Sequence, residues 1–279
     1  MSDRSARQQA LFTIGNQTAV ITGGTGVLGG SMARFLAGCG VRVALLSRSA
    51  GPTSEVVRAI RQEGGEVLAL SCDVSDREAI ERAAREIEAQ FGRATILINA
   101  AGGNREAAST APQRSFFDLS AEALHDVVTL NLLGTFYCCQ VFGRGMAAEG
   151  YGSIVNIASM AALRPLTRVP AYGAAKAGIV NLTRWLAVYM AQEYSPAIRV
   201  NAIAPGFFLT EQNRTLLIDP STGNLTERGQ RILDHTPMRR LGQPEDLFGT
   251  LLWLLSPASA FVTGIVVPVD GGFSAYAGV

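Results

Sequence analysis

Short apolar runs alternate with longer amphipathic stretches along almost all of the 279-residue chain. The runs have the length of strands and the stretches between them have the periodicity of helices, so each strand is followed by a helix. Consecutive parallel strands need such crossover helices, and helices on both faces of one sheet bury it. The alternation therefore predicts a doubly wound α/β fold with a seven-stranded parallel sheet. The strands are expected at 19–21, 41–46, 66–70, 95–98, 152–159, 198–204 and 263–272.

No break in composition divides residues 1–279, so we expect a single domain. The polar residues 1–12 are expected to form a loose N-terminal tail. The stretch 211–237 is polar and irregular and follows the sixth predicted strand. Because long insertions at the carboxyl end of a strand often close over a substrate, this stretch is predicted to be a lid.

Composition argues against several classes of partner. The formal net charge is +1 and only 17% of the residues are charged, so neither nucleic acid nor an anionic membrane is expected. No apolar run has the length of a membrane span, and the polar N-terminus lacks the apolar core of a secretory signal. Cysteines without framework spacing and two distant histidines predict reduced thiols, a cytoplasmic location and no metal site. These residues are Cys39, Cys72, Cys138, Cys139, His125 and His235.

A glycine-rich turn, T-G-G-T-G-V-L-G at 22–29, lies between the first predicted strand and a helix. It contains the pattern G-x-G-x-x-G at Gly24, Gly26 and Gly29. Glycines here let the backbone approach a pyrophosphate at the helix N-terminus, where free N–H groups and the helix dipole favour anions. An ordinary glycine-rich turn is the alternative. The predicted cofactor contacts are Gly23, Thr25, Gly26, Val27 and Leu28.

The ends of the next three strands add candidate cofactor contacts. The second ends in Ser47-Arg48, without the acid that binds the ribose hydroxyls of NAD, so Arg48 is predicted to pair with the 2′-phosphate of NADP(H). A solvated loop arginine, and with it NAD(H), is the alternative. Asp73, followed by Val74, is placed to bind the adenine amine or to cap the next helix, a role that Ser75 could fill instead. Small residues after the fourth strand let backbone pass close to a ligand, at Asn99, Ala100, Ala101 and Gly102.

Tyr172 and Lys176 are spaced to lie on one face of a helix, and Ser159 ends the preceding strand. A lysine ammonium beside a phenol favours the phenolate and is expected to lower the pKa of the tyrosine. Such a tyrosine can exchange a proton with an alcohol, while the serine hydroxyl donates to the substrate oxygen. The same spacing is common on solvated helix faces, and the serine at this offset favours the catalytic interpretation.

Asn131 lies between apolar neighbours in a helical stretch over 120–148. A buried asparagine needs hydrogen-bond partners. It is therefore expected either to tie backbone groups in the core or to hold a water in a proton path.

In order along the chain, these motifs resemble the short-chain dehydrogenase/reductase family over nearly all of the sequence after the tail. The resemblance rests on T-G-x-x-G-x-x-G, Asp73, N-A-A-G, Asn131, Ser159, Tyr172, Lys176, the P-G-x-x-x-T run at 205–210 and the final V-D-G-G. Ordinary members carry glycine where this chain has Val27, so the phosphate loop is expected to differ in detail. The resemblance implies a Rossmann-type domain, an NAD(P)-dependent enzyme acting on secondary alcohols or ketones, and a homotetramer.

The resemblance also implies a role for each matched residue. Tyr172 is the acid/base, Lys176 lowers its pKa and holds the nicotinamide ribose, and Ser159 orients the substrate oxygen. Asn131 anchors a water that relays protons through Lys176. The loop after the sixth strand would fix the carboxamide through Thr210 and the Phe208 backbone, and the implied cofactor contacts in this loop are Pro205, Gly206, Phe208 and Thr210.

Within that family, a narrower similarity is to the D-mannonate oxidoreductase (fructuronate reductase) group, through A-G-G-N, R-P-L-T-R-V-P-A-Y and A-P-G-F-F-L-T-E-Q-N-R. That group implies interconversion of a sugar acid and its keto acid. Arginines that could fork onto a carboxylate border the predicted reaction site, together with polar side chains. The set is Arg164, Arg168, Arg214, Asn104, Gln212 and Asn213. The alternatives are a neutral or hydrophobic ketone, a 3-oxoacyl substrate, or a non-catalytic dinucleotide sensor.

Overall fold

Seven parallel strands form one sheet within the residues that the computed structural model describes, namely 7, 9–51, 54–210 and 213–278. The strands are β1 Thr18–Thr22, β2 Arg42–Ser47, β3 Val67–Ser71, β4 Ile96–Asn99, β5 Gly152–Ile157, β6 Ile198–Pro205 and β7 Val266–Val269. Their order across the sheet is β3-β2-β1-β4-β5-β6-β7. The predicted doubly wound parallel sheet is confirmed.

Helices cover both faces of this sheet. They are α1 Val27–Gly38, α2 Glu55–Gln62, α3 Arg77–Phe91, α4 Ala121–Val128, α5 Gly134–Glu149, α6 Pro170–Glu193, α7 Arg214–Leu217, α8 Glu227–Asp234 and α9 Phe248–Leu255. A π-helical turn, Thr129–Leu133, joins α4 to α5. Every residue of β1, β4, β5 and β6 is buried, as expected for central strands covered on both sides.

Neighbouring strand residues enter opposite halves of the core because successive side chains point to opposite faces. Ile21 belongs to a cluster that includes Leu36 of α1 and Leu251 of α9. Val20, beside it, belongs to a second cluster that includes Ile80 of α3 and Phe142 of α5. Burial of each of these apolar side chains stabilises the fold by about 1.5–3 kcal/mol.

The chain turns at the carboxyl end of β1, where the strand order reverses. β1 pairs with β2 on one side and with β4 on the other. Gly23 has φ 64°, and a Cβ on it would lie 2.9 Å from Ala101 Cα. The Thr22 hydroxyl accepts hydrogen bonds from the amides of Ala100 and Ala101, at 3.1 and 3.0 Å. Ligands of doubly wound sheets bind in the crevice at this switch point, so the fold places the candidate site here.

Two local predictions are wrong. Helix α3 begins at Arg77, and Asp76 rather than Ser75 caps it by accepting from the amides of Glu78 and Ala79. The stretch 211–237, predicted to be irregular, contains α7 and α8, and α8 is capped by the Thr226 hydroxyl. The short α8 buries only one apolar side chain, Ile232, so few apolar residues mark this helix in the sequence.

Some predicted features fall outside the described residues. Of the expected tail, 1–6 and 8 lie outside, whereas residues 9–11 are helical. Gln212, one of the expected polar side chains of the site, also lies outside, as does Glu211, the first residue of the predicted lid. Thr53, the first residue of a helical pattern in the sequence, lies outside as well. Within the described ranges, no helix has both the length and the apolar character needed to cross a membrane.

Candidate active site

Tyr172 and Lys176 lie in the first two turns of α6. The helix begins at Pro170, whose fixed φ and missing N–H suit the first helical position. Lys176 Nζ lies 5.6 Å from the centre of the Tyr172 ring. Ser159 follows β5 and caps a short 3-10 turn by accepting from the Ala161 amide at 3.2 Å. The residues predicted from their spacing are therefore brought together at the end of β5.

Lys176 is buried, with 3% of its surface exposed. Its ammonium donates to the carbonyl of Ile157, the last residue of β5, at 2.8 Å. Burial lowers the pKa of Lys176 from 10.5 to about 8. Lys176 is also the only lysine in the sequence, since the other 23 of the 24 basic Lys and Arg residues are arginines. A lysine can lose its proton when buried and an arginine does not, so the two residue types are not equivalent at this position.

The Tyr172 phenol is shifted in the opposite direction. Burial raises the pKa of Tyr172 above 10.0, and a hydrogen bond with the Ser159 side chain lowers it by less. The expectation that Lys176 lowers the pKa of Tyr172 below its ordinary value is therefore wrong in this structure. The lysine charge is itself disfavoured by burial and is directed at the Ile157 carbonyl. Near neutral pH the phenol holds its proton.

Asn131 is fully buried in the π-helical turn. Its amide donates to the carbonyls of Gly103 and Val127, at 2.7 and 2.8 Å, and its Oδ1 accepts from the Gly103 amide at 3.2 Å. The interpretation that it ties backbone groups in the core is confirmed. A Cβ on Gly102 would lie 2.6 Å from Asn131 Oδ1 and 3.2 Å from Lys176 Nζ. The loop after β4 is therefore held directly against both side chains.

The turn at 22–29 has the form that a pyrophosphate needs. A Cβ on Gly29 would lie 2.3 Å from the Gly23 carbonyl oxygen, so only glycine fits there. Helix α1 begins at Val27, and its N-cap, Gly26, has no side chain to cap it. The first-turn amides, which include those of Val27 and Leu28, are thus free to face an anion. These observations fit the phosphates of a dinucleotide.

The end of β2 presents a cluster of hydroxyls beside Arg48. Thr25 Oγ1 donates to Ser47 Oγ at 2.8 Å and lies 3.3 Å from Ser49 Oγ. The Arg48 carbonyl accepts from Ser71 Oγ at 3.1 Å, which fixes the backbone here. Arg48 is exposed, and no carboxylate among the described residues forms an ion pair with it. Ser49 was not singled out from the sequence, although it lies next to Arg48.

Asp73, after β3, and Asn99, at the end of β4, differ in whether their side chains can bind a ligand. Asp73 Oδ1 accepts from the Ser75 amide at 2.9 Å, which leaves its second oxygen for a ligand. The Asn99 side chain instead faces the core, donating to Asn156 Oδ1 at 2.8 Å and to Cys139 Sγ at 3.3 Å. The Asn99 side chain is therefore not available to a cofactor, and the predicted approach of its backbone to a ligand stays a prediction. Val74 is buried against Gly134.

The loop after β6 is stabilised by Asn213, for which the sequence predicted a different role. Asn213 was expected among the polar side chains of a carboxylate site. Its amide instead donates to the Phe208 carbonyl at 2.7 Å, and its Oδ1 accepts from the Thr210 amide at 2.8 Å. Gly206 is packed so closely that a Cβ would lie 2.7 Å from Asp270 Cα. The backbone from Pro205 to Thr210 is thus fixed at the sheet edge.

The predicted arginines do not form one cluster. Arg164 donates twice to the Ser274 carbonyl, at 3.2 and 2.9 Å, and so holds the C-terminal segment. Arg214 is exposed on α7, and Asn104 is exposed and donates to Ser109 Oγ at 2.7 Å. Arg168 instead lies near Arg228 of α8, whose pKa is lowered by burial and by the Arg168 charge. Sequence reasoning missed Arg228 because only the tertiary fold brings α8 to this place.

Comparison with known proteins was made by sequence and by structure. A family model described as enoyl-(acyl carrier protein) reductase matches residues 26–274. The chain is 49% identical over 275 residues to the uncharacterized oxidoreductase UxuB of Bacillus subtilis (strain 168), a match covering 95% of this chain and 98% of that protein.

Two solved structures share the fold and contain a nicotinamide dinucleotide. A candidate D-mannonate oxidoreductase from Haemophilus influenzae with bound NAD has a TM-score of 0.88 and 43% identity, covering 96% of this chain and 98% of that one. A candidate NAD(P)-dependent gluconate 5-dehydrogenase from Beutenbergia cavernae, with bound NADP at low occupancy, has a TM-score of 0.84 and 33% identity. That match covers 95% of this chain and 100% of the other.

Proposed function

Since this chain belongs to the short-chain dehydrogenase/reductase family, whose members are oxidoreductases acting on CH–OH groups, we propose that its substrate is a sugar acid. The observation that carries the proposal is Arg168, which lies in the segment between Ser159 and Tyr172 and forms no ion pair with a described carboxylate, whereas Arg164 in the same segment holds the C-terminal segment. A carboxylate bound beside Tyr172 would place the neighbouring carbinol carbon at the reaction site. The relatives described as acting on mannonate and gluconate support this class of substrate.

Proton transfer is assigned to Tyr172. In the direction of oxidation, its phenolate oxygen takes the proton of the substrate hydroxyl, and in reduction its phenol returns that proton to the forming alkoxide. The Ser159 hydroxyl donates to the same substrate oxygen and fixes its position. The bound nicotinamide accepts or donates the hydride. The phenolate of Tyr172 becomes more abundant as the pH rises towards the pKa of the phenol, which burial raises. The oxidation rate should therefore rise with pH and should fall at acid pH.

Lys176 and Asn131 support this transfer. Lys176, whose pKa is about 8, can hold or release a proton near neutral pH and can bind the nicotinamide ribose through its ammonium. Asn131 fixes the loop at Gly103 through its side-chain amide, and the family resemblance also assigns it the role of anchoring a water in the proton path. The four catalytic residues are therefore Asn131, Ser159, Tyr172 and Lys176.

A nicotinamide dinucleotide fits the crevice at the switch point, and we assign NADP(H) as the preferred form. The first turn of α1 would hold the pyrophosphate, Asp73 the adenine amine, and the loop at 205–210 the carboxamide. Arg48 has no ion pair among the described residues and would bind the 2′-phosphate with the nearby hydroxyls of Thr25, Ser47 and Ser49. NAD(H) is the competing choice, since one relative contains NAD.

The stretch 211–237 acts as the lid in this account. Within its described part, Arg228 Nη1 donates to Thr167 Oγ1 at 3.2 Å, and this contact reaches the segment beside Tyr172. His235 packs on Phe273 and Tyr276 of the C-terminal segment, with ring centres 4.8 and 5.1 Å apart. These contacts support a lid that closes over the proposed substrate carboxylate.

We also assign a homotetramer. The solvent face of α6 carries an apolar patch of Trp185, Val188 and Tyr189, which are 58%, 56% and 38% exposed. Trp185 and Tyr189 are stacked with ring centres 4.9 Å apart. An apolar face of this kind favours burial against another copy. Sedimentation of the wild-type protein and of Trp185→Glu tests this assignment, and a monomeric wild-type protein would contradict it.

The substrate is tested by a dehydrogenase screen with both NAD and NADP. D-Mannonate and D-gluconate are compared with their uncharged counterparts D-mannitol and D-glucitol, and with hydrophobic ketones and 3-oxoacyl thioesters in the reverse direction. The proposal expects the acids to have the highest kcat/KM. Equal use of the polyols, or faster turnover of a hydrophobic ketone, would contradict a sugar acid substrate. Bound cofactor without turnover of any of these compounds would favour the sensor interpretation.

A further inference from the structure

Arg228 connects the lid to the catalytic segment. It lies in the first turn of α8 and is half-buried. Its Nη1 donates to Thr167 Oγ1 at 3.2 Å, five residues before Tyr172 in the sequence.

Arg168, the residue after Thr167, supplies a second positive charge at the same place. Its backbone has φ 75°, a left-handed conformation that is unfavourable for a residue with a side chain. The conformation is held from outside, because the Arg168 carbonyl accepts from the Thr110 amide at 3.0 Å. The contact of Arg228 with Thr167 brings it to the residue next to Arg168. Burial lowers the pKa of Arg228, and the Arg168 charge lowers it further.

No carboxylate among the described residues forms an ion pair with either arginine. The other arginines around α8 have such partners: Arg231 pairs with Glu227, and Arg239 pairs with Asp234. Two neighbouring guanidinium groups, one of them half-buried, repel each other unless an anion lies between them. The protein therefore holds uncompensated positive charge beside the residues that react with substrate.

The remaining arginines near the site are less suited to bind a substrate. Arg164 already donates twice to the Ser274 carbonyl. Arg214 is exposed on α7, and its side chain forms no hydrogen bond with the segment before Tyr172 among the described residues, whereas Arg168, which is also exposed, lies in that segment. Arg168 and Arg228 are thus the pair available to a ligand, and they belong to two different elements.

We propose that Arg168 and Arg228 form a clamp for the substrate carboxylate, with Arg228 closing from the lid and Arg168 from the segment before Tyr172. This inference rests on the proposed function, since it takes the ligand to be a carboxylate. Bound between the two guanidinium groups, the carboxylate removes their repulsion and fastens α8 over the site. The clamp makes Arg228 a specificity-determining residue, and a neutral polyol would leave the two charges unpaired.

Arg228→Gln tests the clamp, because it removes the charge and keeps an amide donor that can face Thr167. Arg231→Gln is the matched control on the same helix. Thr167→Val removes the hydrogen bond to Arg228 and keeps both charges. The first measurement is the ratio of kcat/KM for D-mannonate to that for D-mannitol. The second is calorimetric binding of D-mannonate to the protein saturated with reduced cofactor, where oxidation of the acid does not proceed.

The clamp predicts that Arg228→Gln lowers the selectivity ratio and the affinity for D-mannonate by about ten- to a hundredfold, the scale of a charged hydrogen bond. In Arg228→Gln the turnover of D-mannitol should change by less than about threefold. In Arg231→Gln and in Thr167→Val the selectivity ratio and the affinity for D-mannonate should also change by less than about threefold. An unchanged ratio in Arg228→Gln would overturn the clamp, and an equal loss in Thr167→Val would show that Arg228 only positions the lid.

The binding measurement separates failure of the clamp from failure of the proposed function. The wild-type protein could bind D-mannonate tightly, lose that binding in Arg228→Gln, and oxidise no sugar acid. This result would support the clamp and contradict the sugar acid reaction. Sugar acid turnover and binding that are insensitive to Arg228→Gln contradict the clamp alone. A wild-type protein that neither binds nor oxidises D-mannonate or D-gluconate contradicts both.

Discussion

Replacement of Lys176 with methionine is expected to increase the free energy of unfolding at neutral pH while it removes activity. Folding buries the ammonium and lowers its pKa from 10.5 to about 8, so at pH 7 the lysine is charged in both states. The difference in pKa corresponds to about 3 kcal/mol of destabilisation. Methionine fills similar space without a charge, and loss of the charged hydrogen bond to the Ile157 carbonyl costs about 1.5–3 kcal/mol. The expected net gain is about 0.5–2 kcal/mol.

The gain should depend on pH with a definite sign. Because the folded-state pKa is depressed, the folded protein releases its proton near pH 8, whereas the unfolded state does so near 10.5. The wild-type protein is therefore destabilised fully below about pH 8 and recovers stability as the pH rises towards 10.5. At pH 9.5 the destabilisation falls to about 1 kcal/mol, so the advantage of Lys176→Met should shrink by about 2 kcal/mol.

Urea unfolding of both proteins at pH 7 and pH 9.5, at one protein concentration, measures this difference. Arg184→Met is the control, because Arg184 is an exposed cation on the same helix. Since Lys176 is the only lysine in the sequence, labelling with ε-¹³C-lysine gives one side-chain resonance whose titration reports its pKa directly. A titration midpoint near 10.5, or a stability difference that is constant between the two pH values, would refute the reasoning.

Three further predictions concern the cofactor crevice. Arg48→Ala should weaken NADP(H) binding by about 1.5–3 kcal/mol and leave NAD(H) almost unchanged in a fluorescence titration; equal effects on both would make Arg48 a loop residue only. Gly102→Ala should lower kcat and destabilise the fold by about 1–3 kcal/mol, because its Cβ would lie 2.6 Å from Asn131 Oδ1. Unchanged kinetics and an unchanged thermal unfolding curve would contradict this close contact. Thr22→Val should weaken cofactor binding and destabilise the fold by about 1–3 kcal/mol, because the Ala101 amide loses its acceptor while the Ala100 amide keeps only the Ile98 carbonyl. Unaltered titration and unfolding curves would show that the loop needs no such anchor.

Much of the framework follows from local pattern. Apolar runs of strand length, the glycine turn after β1 and the four-residue spacing of Tyr172 and Lys176 depend on neighbours in sequence, so they predict the sheet and the catalytic trio. The direction in which the Asn99 side chain points could also have been predicted from the sequence. It lies two residues after Leu97 in β4 and so shares a face with that core residue, and its register partner is Asn156.

Other features depend on tertiary contacts that no local pattern contains. The pKa directions of Tyr172 and Lys176 follow from burial, which outweighs the charge that the spacing suggested. Arg228 reaches Thr167 across 61 positions of sequence, and Arg164 reaches Ser274 across 110. Helix α8 lies in a stretch that was predicted to be irregular, so nothing in the sequence indicated that Arg228 would contact the segment before Tyr172.

Transfer of the substrate proton by the Tyr172 phenol is decided by Tyr172→Phe, because this substitution removes only one oxygen atom. Cofactor affinity is measured by titration and the rate by single-turnover oxidation of the best substrate from the screen. We expect unchanged cofactor affinity and a rate at least about a hundredfold lower, the usual contribution of a general acid–base group. A variant that keeps more than about a tenth of the wild-type rate would show that Tyr172 does not transfer the proton.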